Sequence, residues 1–465
     1  MRIKDEKKTE LFPYQGIGVF RMANRFGGRC LLADDVGLGK SIQALYASIP
    51  YRRKRPIVIV GPHAVKYGWE EQILEHTNYR CWQLEGQSPP KRLPPDVPEV
   101  IIINWEILQF WTKRIKELNP SVIIGDEIHY AKNPKSKRSK AFRELCEGVR
   151  TIYCLSGTPI ENGPIEFFVP LNILRPDIFP SFKKFAFRYS KPKFTHWGIK
   201  FQGAANVKEL NRLLRKTCMV RRTKEKVLKD LPPLVRTSVP LKINQRLYKA
   251  AEKDVVKYLM KHKPKKGRKA YNAKKFAKLN YLLQVVSDLK LKLVIEWIAN
   301  FLETTDKKLT VFAHHRAFLE ALYERFEKQA VLVYGGIGKD QRRDRIKQFV
   351  NKKKTRLFLG SITATGTGIN DLQLVCSDMA IAELIWVGVK LLQVEGRLHR
   401  IGQRHQVNVN YLIAEDTVES ILCNAIRKKQ EDVNSVVDDK YDDLEFAIFD
   451  TVLQKMSKQS KRRAA

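Results

Sequence analysis

A chain of 465 residues is too long for one hydrophobic nucleus and suits roughly two to four domains, and its 43% hydrophobic and 29% charged residues are the balance of a globular protein. No apolar run is long enough to span a bilayer, and the charge-alternating start from Met1 to Glu10 lacks the apolar core of a secretory signal. The 86 Lys and Arg against 49 Asp and Glu leave a formal charge of +37, which calls for a polyanionic partner; charge alone does not choose between DNA, RNA, anionic lipid and a merely solvated basic surface.

The first elements in chain order are short runs rich in Ile and Val: Cys30–Ala33, Ile57–Val60, Val100–Ile103, Val122–Ile124 and Ile152–Leu155. Such runs predict strands of a parallel sheet covered on both faces. The prolines between Pro89 and Pro98 read as a surface loop within this first lobe. From about Ile160 to Leu289 the pattern turns mostly helical and charged, with no inserted wedge hairpin or aromatic pin evident. A second series of strands is predicted at Leu309–Ala313, Val331–Val333, Leu357–Leu359, Ala380–Ile385 and Val407–Ile413. Near the end, Asp416 and Glu419 are spaced as a capping box before the stripe Val418, Ile421, Leu422 and Ala425. The expected fold class is therefore α/β, with two doubly wound parallel-sheet lobes, helical insertions and a C-terminal helical brace. The expected boundaries are a first lobe over 1–225, a helical basic region over 226–288, a second lobe over 289–425, and the brace with a basic tail over 426–465. The seven cysteines form no Cys-x-x-Cys pair and read as reduced core thiols, not as metal ligands.

After the first strand comes Ala33-Asp34-Asp35-Val36-Gly37-Leu38-Gly39-Lys40-Ser41, with a helix expected through Ile42 to Ala47. Gly37 and Gly39 let backbone N–H groups wrap a phosphate, Lys40 reaches the β and γ oxygens of ATP, and Ser41 is placed to ligate Mg²⁺. Position 34 is Asp where the common G-x-x-x-x-G-K-[ST] loop has Gly, and alone the segment is also compatible with an ordinary glycine loop. Asp126-Glu127-Ile128-His129 follow the fourth strand, at the edge where α/β folds bind ligands. Asp126 is the candidate Mg²⁺ ligand and Glu127 the group that activates water; a solvated acidic turn is the plain alternative. Ser156 to Pro159 after the next strand would by themselves be only a turn. Gln393, Arg397 and Arg400 are spaced to share one helix face, which would offer arginine fingers to a transferring phosphoryl group or be an exposed basic face. His314 and His315 are successive strand residues whose side chains diverge, so their plain reading is structural.

Taken in order, these segments resemble the Swi/Snf-type DNA translocases of helicase superfamily two. The resemblance is carried by Leu11 to Gln15, the loop around Lys40, Asp126 to His129, Ser156 to Pro159, Met219 to Lys224, Thr363 to Asn370 and Gln393 to Gln403, and spans residues 10 to 425. It implies that Gln15 contacts the adenine, that Gln393 belongs to the nucleotide site, and that lobe closure brings Arg397 and Arg400 to the phosphates. It also implies that Thr363, Thr365 and Gly366 lie in a coupling and DNA-contact motif, and that duplex DNA is tracked without necessarily being separated. Ala33 to Asp35, Val311 to His315 and Ala382 to Trp386 look most like the annealing-helicase and fork-remodeller branch. Gly396 departs from the family pattern, which commonly has Asp there.

The basic tract with Lys265, Lys266, Arg268 and Lys269 is expected either to meet DNA backbone or to be a solvated linker. Two rival readings are a strand-separating helicase and a DNA-binding scaffold with an inactive ATP site. With no chromatin-reading, zinc-finger or nuclease module visible, a cytoplasmic, nucleoid-associated motor of bacterial, archaeal or viral origin is expected, or a nuclear one if eukaryotic.

Overall fold

The computed structural model describes residues 9–51, 55–92, 95–157, 164–195, 198–261, 268–365, 369–386, 388–424 and 426. They fall into two compact units that divide between Asp230 and Leu231.

The first unit is built on a parallel sheet of seven strands, β1 (Arg29–Leu32), β2 (Ile57–Gly61), β3 (Cys81–Gln83), β4 (Val100–Asn104), β5 (Val122–Gly125), β6 (Thr151–Leu155) and β9 (Met219–Val220), in the order β3-β4-β2-β5-β6-β1-β9. Alternate residues of each strand enter opposite cores. Leu31, Val58, Ile101, Ile123 and Ile152 join one cluster, while Cys30, Ile57, Val100, Val122 and Tyr153 join the other. Cores on both faces make most residues of the central strands apolar, which explains why these strands read as continuous runs. The proline-rich segment lies between β3 and β4, outside regular structure in its described residues.

The second unit repeats the plan with six parallel strands: β10 (Leu234–Leu241), β11 (Leu309–Ala313), β12 (Ala330–Val333), β13 (Leu357–Ser361), β14 (Asp378–Ile381) and β15 (Val407–Ala414), in the order β10-β15-β14-β11-β13-β12. Phe312, Phe358, Met379 and Val409 face one core, and Val311, Leu359, Ala380 and Leu412 the other. A helix from Arg268 to Thr304 is pinned to this unit by a buried ion pair from Lys290 to Glu419 at 2.5 Å and by a hydrogen bond from Trp386 Nε1 to Asn280 at 2.7 Å.

Four expectations change. Among the described residues, the stretch from Ile160 to Leu289 holds four strands among its helices: β9 and β10 extend the two sheets, and β7 (Lys191–Thr195) pairs antiparallel with β8 (Gly198–Gln202) in an inserted hairpin, where a mostly helical pattern is expected. Strand β14 starts at Asp378 and ends at Ile381, so Ala382 to Ile385 of the expected strand are beyond it. The capping pair near the end is also different. Asp416 is left-handed, with φ 52°, and Thr417 Oγ1 accepts from Glu419 N, while Glu419 accepts from Ala414 N and Lys290. Finally, the helix Gly388–Glu395 stops before Arg397, so Gln393, Arg397 and Arg400 do not share a helical face. Its last turn closes through the Arg397 and Leu398 amides, which bond three residues back to Val394 and Glu395, and the chain then turns. Residues of the expected brace beyond 426 lie outside the described residues.

Candidate active site

The loop after β1 is shaped by its glycines. Gly37 and Gly39 have φ of 91° and 71°, a region that side-chain-bearing residues avoid, and a Cβ on Gly39 would stand 2.4 Å from Gln15 Nε2. The helix Lys40–Ser48 begins directly after Gly39, so Lys40 and Ser41 are its first two residues. Lys40 Nζ donates to the backbone carbonyls of Asp34 at 2.9 Å and Asp35 at 3.2 Å, which curls the loop around the ammonium. Gln15 is buried beneath it, accepting from Phe12 N at 3.1 Å and donating to Leu38 O at 3.4 Å.

Asp34, the departure from the common loop, is the anchor of a polar network. It is fully buried and paired with Arg222, whose N and Nε donate to Asp34 Oδ1 at 2.9 and 3.0 Å. Arg222 also donates to Gln43 Oε1 at 2.6 Å and to the Tyr14 carbonyl. Next to it, Arg221 pairs with Asp35 at 2.9 Å and donates to Ala33 O at 2.6 Å. The two residues that follow β9 are thus arginines that hold the loop. In the sequence, the signal for this clamp is the two adjacent pairs Asp34-Asp35 and Arg221-Arg222.

The acidic pair follows β5 directly. Glu127 is left-handed, with φ 47°, an uncommon conformation for a residue other than glycine and one that costs on the order of 1 kcal/mol. Its carboxylate lies 3.3 Å from His129 Nδ1. Asp126 is held by two tryptophans: Trp69 Nε1 donates to its Oδ2 at 2.8 Å, and Trp105 Nε1 to its backbone carbonyl at 3.0 Å. Neither indole was singled out from the sequence, because a buried Trp fits any core until its N–H partner is known.

The charges interact strongly. Burial, and next the neighbouring Glu127, push the Asp126 carboxyl up to about 6, against the hydrogen bond from Trp69 and the charge of Lys40. Burial draws Lys40 below its ordinary value, opposed by Glu127, Asp34 and Asp126. Two crowded carboxylates whose repulsion raises one of them are relieved by a divalent cation, and each Asp126 oxygen keeps a free lone pair beside its single bond. The donor set therefore fits Mg²⁺. Ser156-Gly157 closes the same pocket: a Cβ on Gly157 would stand 3.1 Å from Lys40 Nζ and 2.8 Å from Val36 Cγ2. Thr158 and Pro159 lie outside the described residues.

In the second unit, Arg397 and Arg400 converge on two successive residues. Arg397 Nη1 donates to Ile369 O at 3.1 Å and Arg400 Nη1 to Asn370 Oδ1 at 2.9 Å. Burial holds the Arg400 guanidinium below its ordinary value, against the pull of Asp371, and its Nε is buried with no hydrogen-bond partner among the described residues. The helix that leads to them carries Gln393 and is fixed by Glu395, which takes two bonds from Arg236, at 2.7 and 2.6 Å, and one from Tyr411 at 2.7 Å. Thr363 is exposed, its hydroxyl 2.9 Å from that of Ser361. Thr365 ends a short helix, and Gly366, Lys265 and Lys266 lie outside the described residues, while Arg268 and Lys269 open the helix Arg268–Thr304. His314 and His315 serve structure: both backbone amides donate to Glu383 Oε2 at 2.7 Å, and the His315 ring meets Glu383 Oε1 at 2.7 Å.

Two parallel sheets, one ending in a phosphate-type loop and an acidic pair and the other in an arginine turn, define the helicase-like class. Residues 14–290 match the SNF2-related domain and residues 289–402 the helicase conserved C-terminal domain, and the chain belongs to the SNF2-related family. It is 34% identical over 434 residues to the SWI/SNF-related matrix-associated actin-dependent regulator of chromatin subfamily A-like protein 1 of Xenopus laevis, covering 90% of this chain and 43% of that protein. It is 28% identical over 467 residues to the DNA annealing helicase and endonuclease ZRANB3 of Mus musculus, covering 95% of this chain and 42% of that protein. The chain thus spans less than half the length of these relatives. A solved structure, the Sulfolobus solfataricus SWI2/SNF2 ATPase core in complex with dsDNA, aligns over 92% of both chains at 23% identity and a TM-score of 0.45. No helix among the described residues is long and apolar enough to cross a membrane.

Proposed function

We propose that the chain is a DNA-dependent ATPase that moves along double-stranded DNA and remodels or anneals it. One observation carries the reading: Lys40, Asp126 and Glu127 share one pocket at the edge of a parallel sheet, the cation and two carboxylates that phosphoryl transfer needs. Lys40 and the amides after Gly37 and Gly39 bind the ATP phosphates, and Gln15 takes the adenine. Ser41 and Asp126 would hold Mg²⁺, which would supply charge neutralisation to the ATP phosphates. Glu127 orients the attacking water and accepts its proton. Arg397 and Arg400, with Gln393, act on the transferring phosphoryl group, a role supported by the buried, incompletely bonded Arg400 guanidinium.

The formal charge of +37 and the annealing-helicase name of the mouse relative support DNA as the track. Thr363, Thr365 and Gly366 are assigned to DNA, and Lys265, Lys266, Arg268 and Lys269 to its phosphates. Neutralising these four basic residues should flatten the salt dependence of binding by about 0.9 log units for each lost contact. The test of the whole reading is ATP hydrolysis measured with linear duplex, single strand, forked DNA and double-stranded RNA, together with displacement of a triplex-forming strand. Stimulation by duplex DNA and triplex displacement without unwinding of a plain duplex are expected. Unwinding without triplex displacement would assign the chain to strand-separating helicases, and no DNA stimulation would leave a scaffold.

A further inference from the structure

The inserted hairpin β7–β8 is rooted in aromatic packing and ends in an exposed ring. Phe201 sits against Phe187 at 5.0 Å and Phe182 at 6.3 Å, both on the helix Phe182–Tyr189, and Ala205 N donates to Tyr189 O at 2.9 Å. That footing matters, since a free two-stranded hairpin is marginal in water. Beyond it, Phe194 is 74% exposed, more than any other large hydrophobic side chain described, and its cross-strand partner Ile199 is 42% exposed. A ring held in water on a rooted hairpin is a feature that packing does not explain.

The surroundings say what it meets. From Ile178 to Lys208 the sequence has seven Lys or Arg and no Asp or Glu. Lys183, Lys184, Lys191 and Lys193 are exposed. Lys191 and Lys193 alternate with Phe194 along β7 and leave the narrow ribbon by its other face, so a single strand crossing the edge of β7 would set a base on the ring and its phosphates on these cations, the combination that binds single-stranded nucleic acid. Paired bases hide their faces within the stack, so the ring selects an unpaired one.

We propose that the β7–β8 hairpin is a binding site for unpaired DNA, with Phe194 stacking on a base beside a duplex and Lys191 and Lys193 holding the adjoining phosphates. This site gives the chain a preference for branched over plain duplex DNA. The inference rests on the reading of the chain as DNA-acting, but it concerns binding without nucleotide and is tested apart from hydrolysis.

The experiment measures binding of the full chain, free of nucleotide, to a blunt duplex, to the same duplex with two unpaired arms, and to one arm alone, by fluorescence anisotropy. A fluorescent adenine analogue next to the junction reports stacking. Phe194→Ala is expected to weaken binding of the forked and single-stranded DNA by roughly five- to 150-fold, the range for loss of one stacked base, with blunt-duplex affinity unchanged. The analogue should be quenched by the wild type and by Phe194→Trp and not by Phe194→Ala. Equal losses on blunt and forked DNA, or no loss on forked DNA, would overturn the proposal; the second result would mark the hairpin as a protein-docking face. If no DNA stimulated ATP hydrolysis, the motor reading would fail while the difference between forked and blunt binding still decided this one.

Discussion

Arg400 is tied through Nη1 to the side chain of Asn370, 2.9 Å away, while its Nε stays buried and unbonded among the described residues. A guanidinium held on one side only is oriented yet has donors to spare for a phosphate. Arg400→Ala should leave ATP affinity nearly intact and lower turnover by on the order of a thousandfold, with DNA affinity unchanged. Arg400→Lys should not rescue it, since an ammonium lacks the planar fork. Fluorescent-nucleotide titration beside steady-state hydrolysis checks this, and weakened DNA binding with normal turnover would make the turn a nucleic-acid contact.

Lys40 and Glu127 should separate binding from chemistry. Lys40→Ala should lose nucleotide affinity together with turnover, because the ammonium that the loop curls around is gone. Glu127→Gln keeps the shape and loses the proton acceptor, so ATP should bind and hydrolysis stall. Normal turnover in Glu127→Gln would remove this residue from the mechanism.

Restoring the commoner loop sequence should harm this protein. Asp34→Gly leaves Arg222 buried without its carboxylate, a change that costs about 3–5 kcal/mol for a buried pair. Asp34→Gly combined with Arg222→Leu should recover much of that loss. Chemical denaturation of the two variants measures the difference; equal stability of the single variant and wild type would show that the pair contributes little.

Asp126 gives the nucleotide-free protein a signed pH dependence. Its carboxyl is raised to about 6, so the native state holds the proton more tightly than the unfolded chain, where it leaves at about 4. Stability from this group is therefore full below about pH 4, falls as pH rises to about 6, and stays lower above. Asp126→Asn should abolish turnover yet stabilise the nucleotide-free protein at pH 7.5, by about 1–3 kcal/mol, with little gain at pH 4.5. Trp69→Phe removes a bond that favours the ionised form and should move the acid limb of the turnover profile upward. Thermal unfolding at the two pH values and a pH–rate profile decide both points.

The strands that were legible are those buried on both faces, such as β2 and β4, whose five residues are apolar except for the terminal Gly61 and Asn104. Strand β10 was missed because Arg236, Thr237 and Ser238 are exposed at the edge of its sheet, which leaves no apolar run to see. The site divides the same way. Lys40 and Asp126 stand out by local spacing, but what restrains them comes from Arg222 and Trp69, far away in sequence, and only the fold joins these. Arg397 and Arg400 were read as a helix face; they converge through two turns after the helix has ended, on Ile369 and Asn370.

Among the described residues, the sole partner of β10 in its sheet is β15, in register from Leu234 with Val407 to Leu241 with Ala414. The two halves of the chain therefore mature on different schedules during synthesis. All the described strands of the first sheet have been made once Val220 has emerged, and that unit can fold while the ribosome works on the rest. Strand β10 emerges next and waits with both edges open until Ala414 follows, on the order of ten to thirty seconds at ordinary elongation rates. Its Arg236 keeps that waiting strand charged and soluble, and then becomes the partner of Glu395 once the sheet closes.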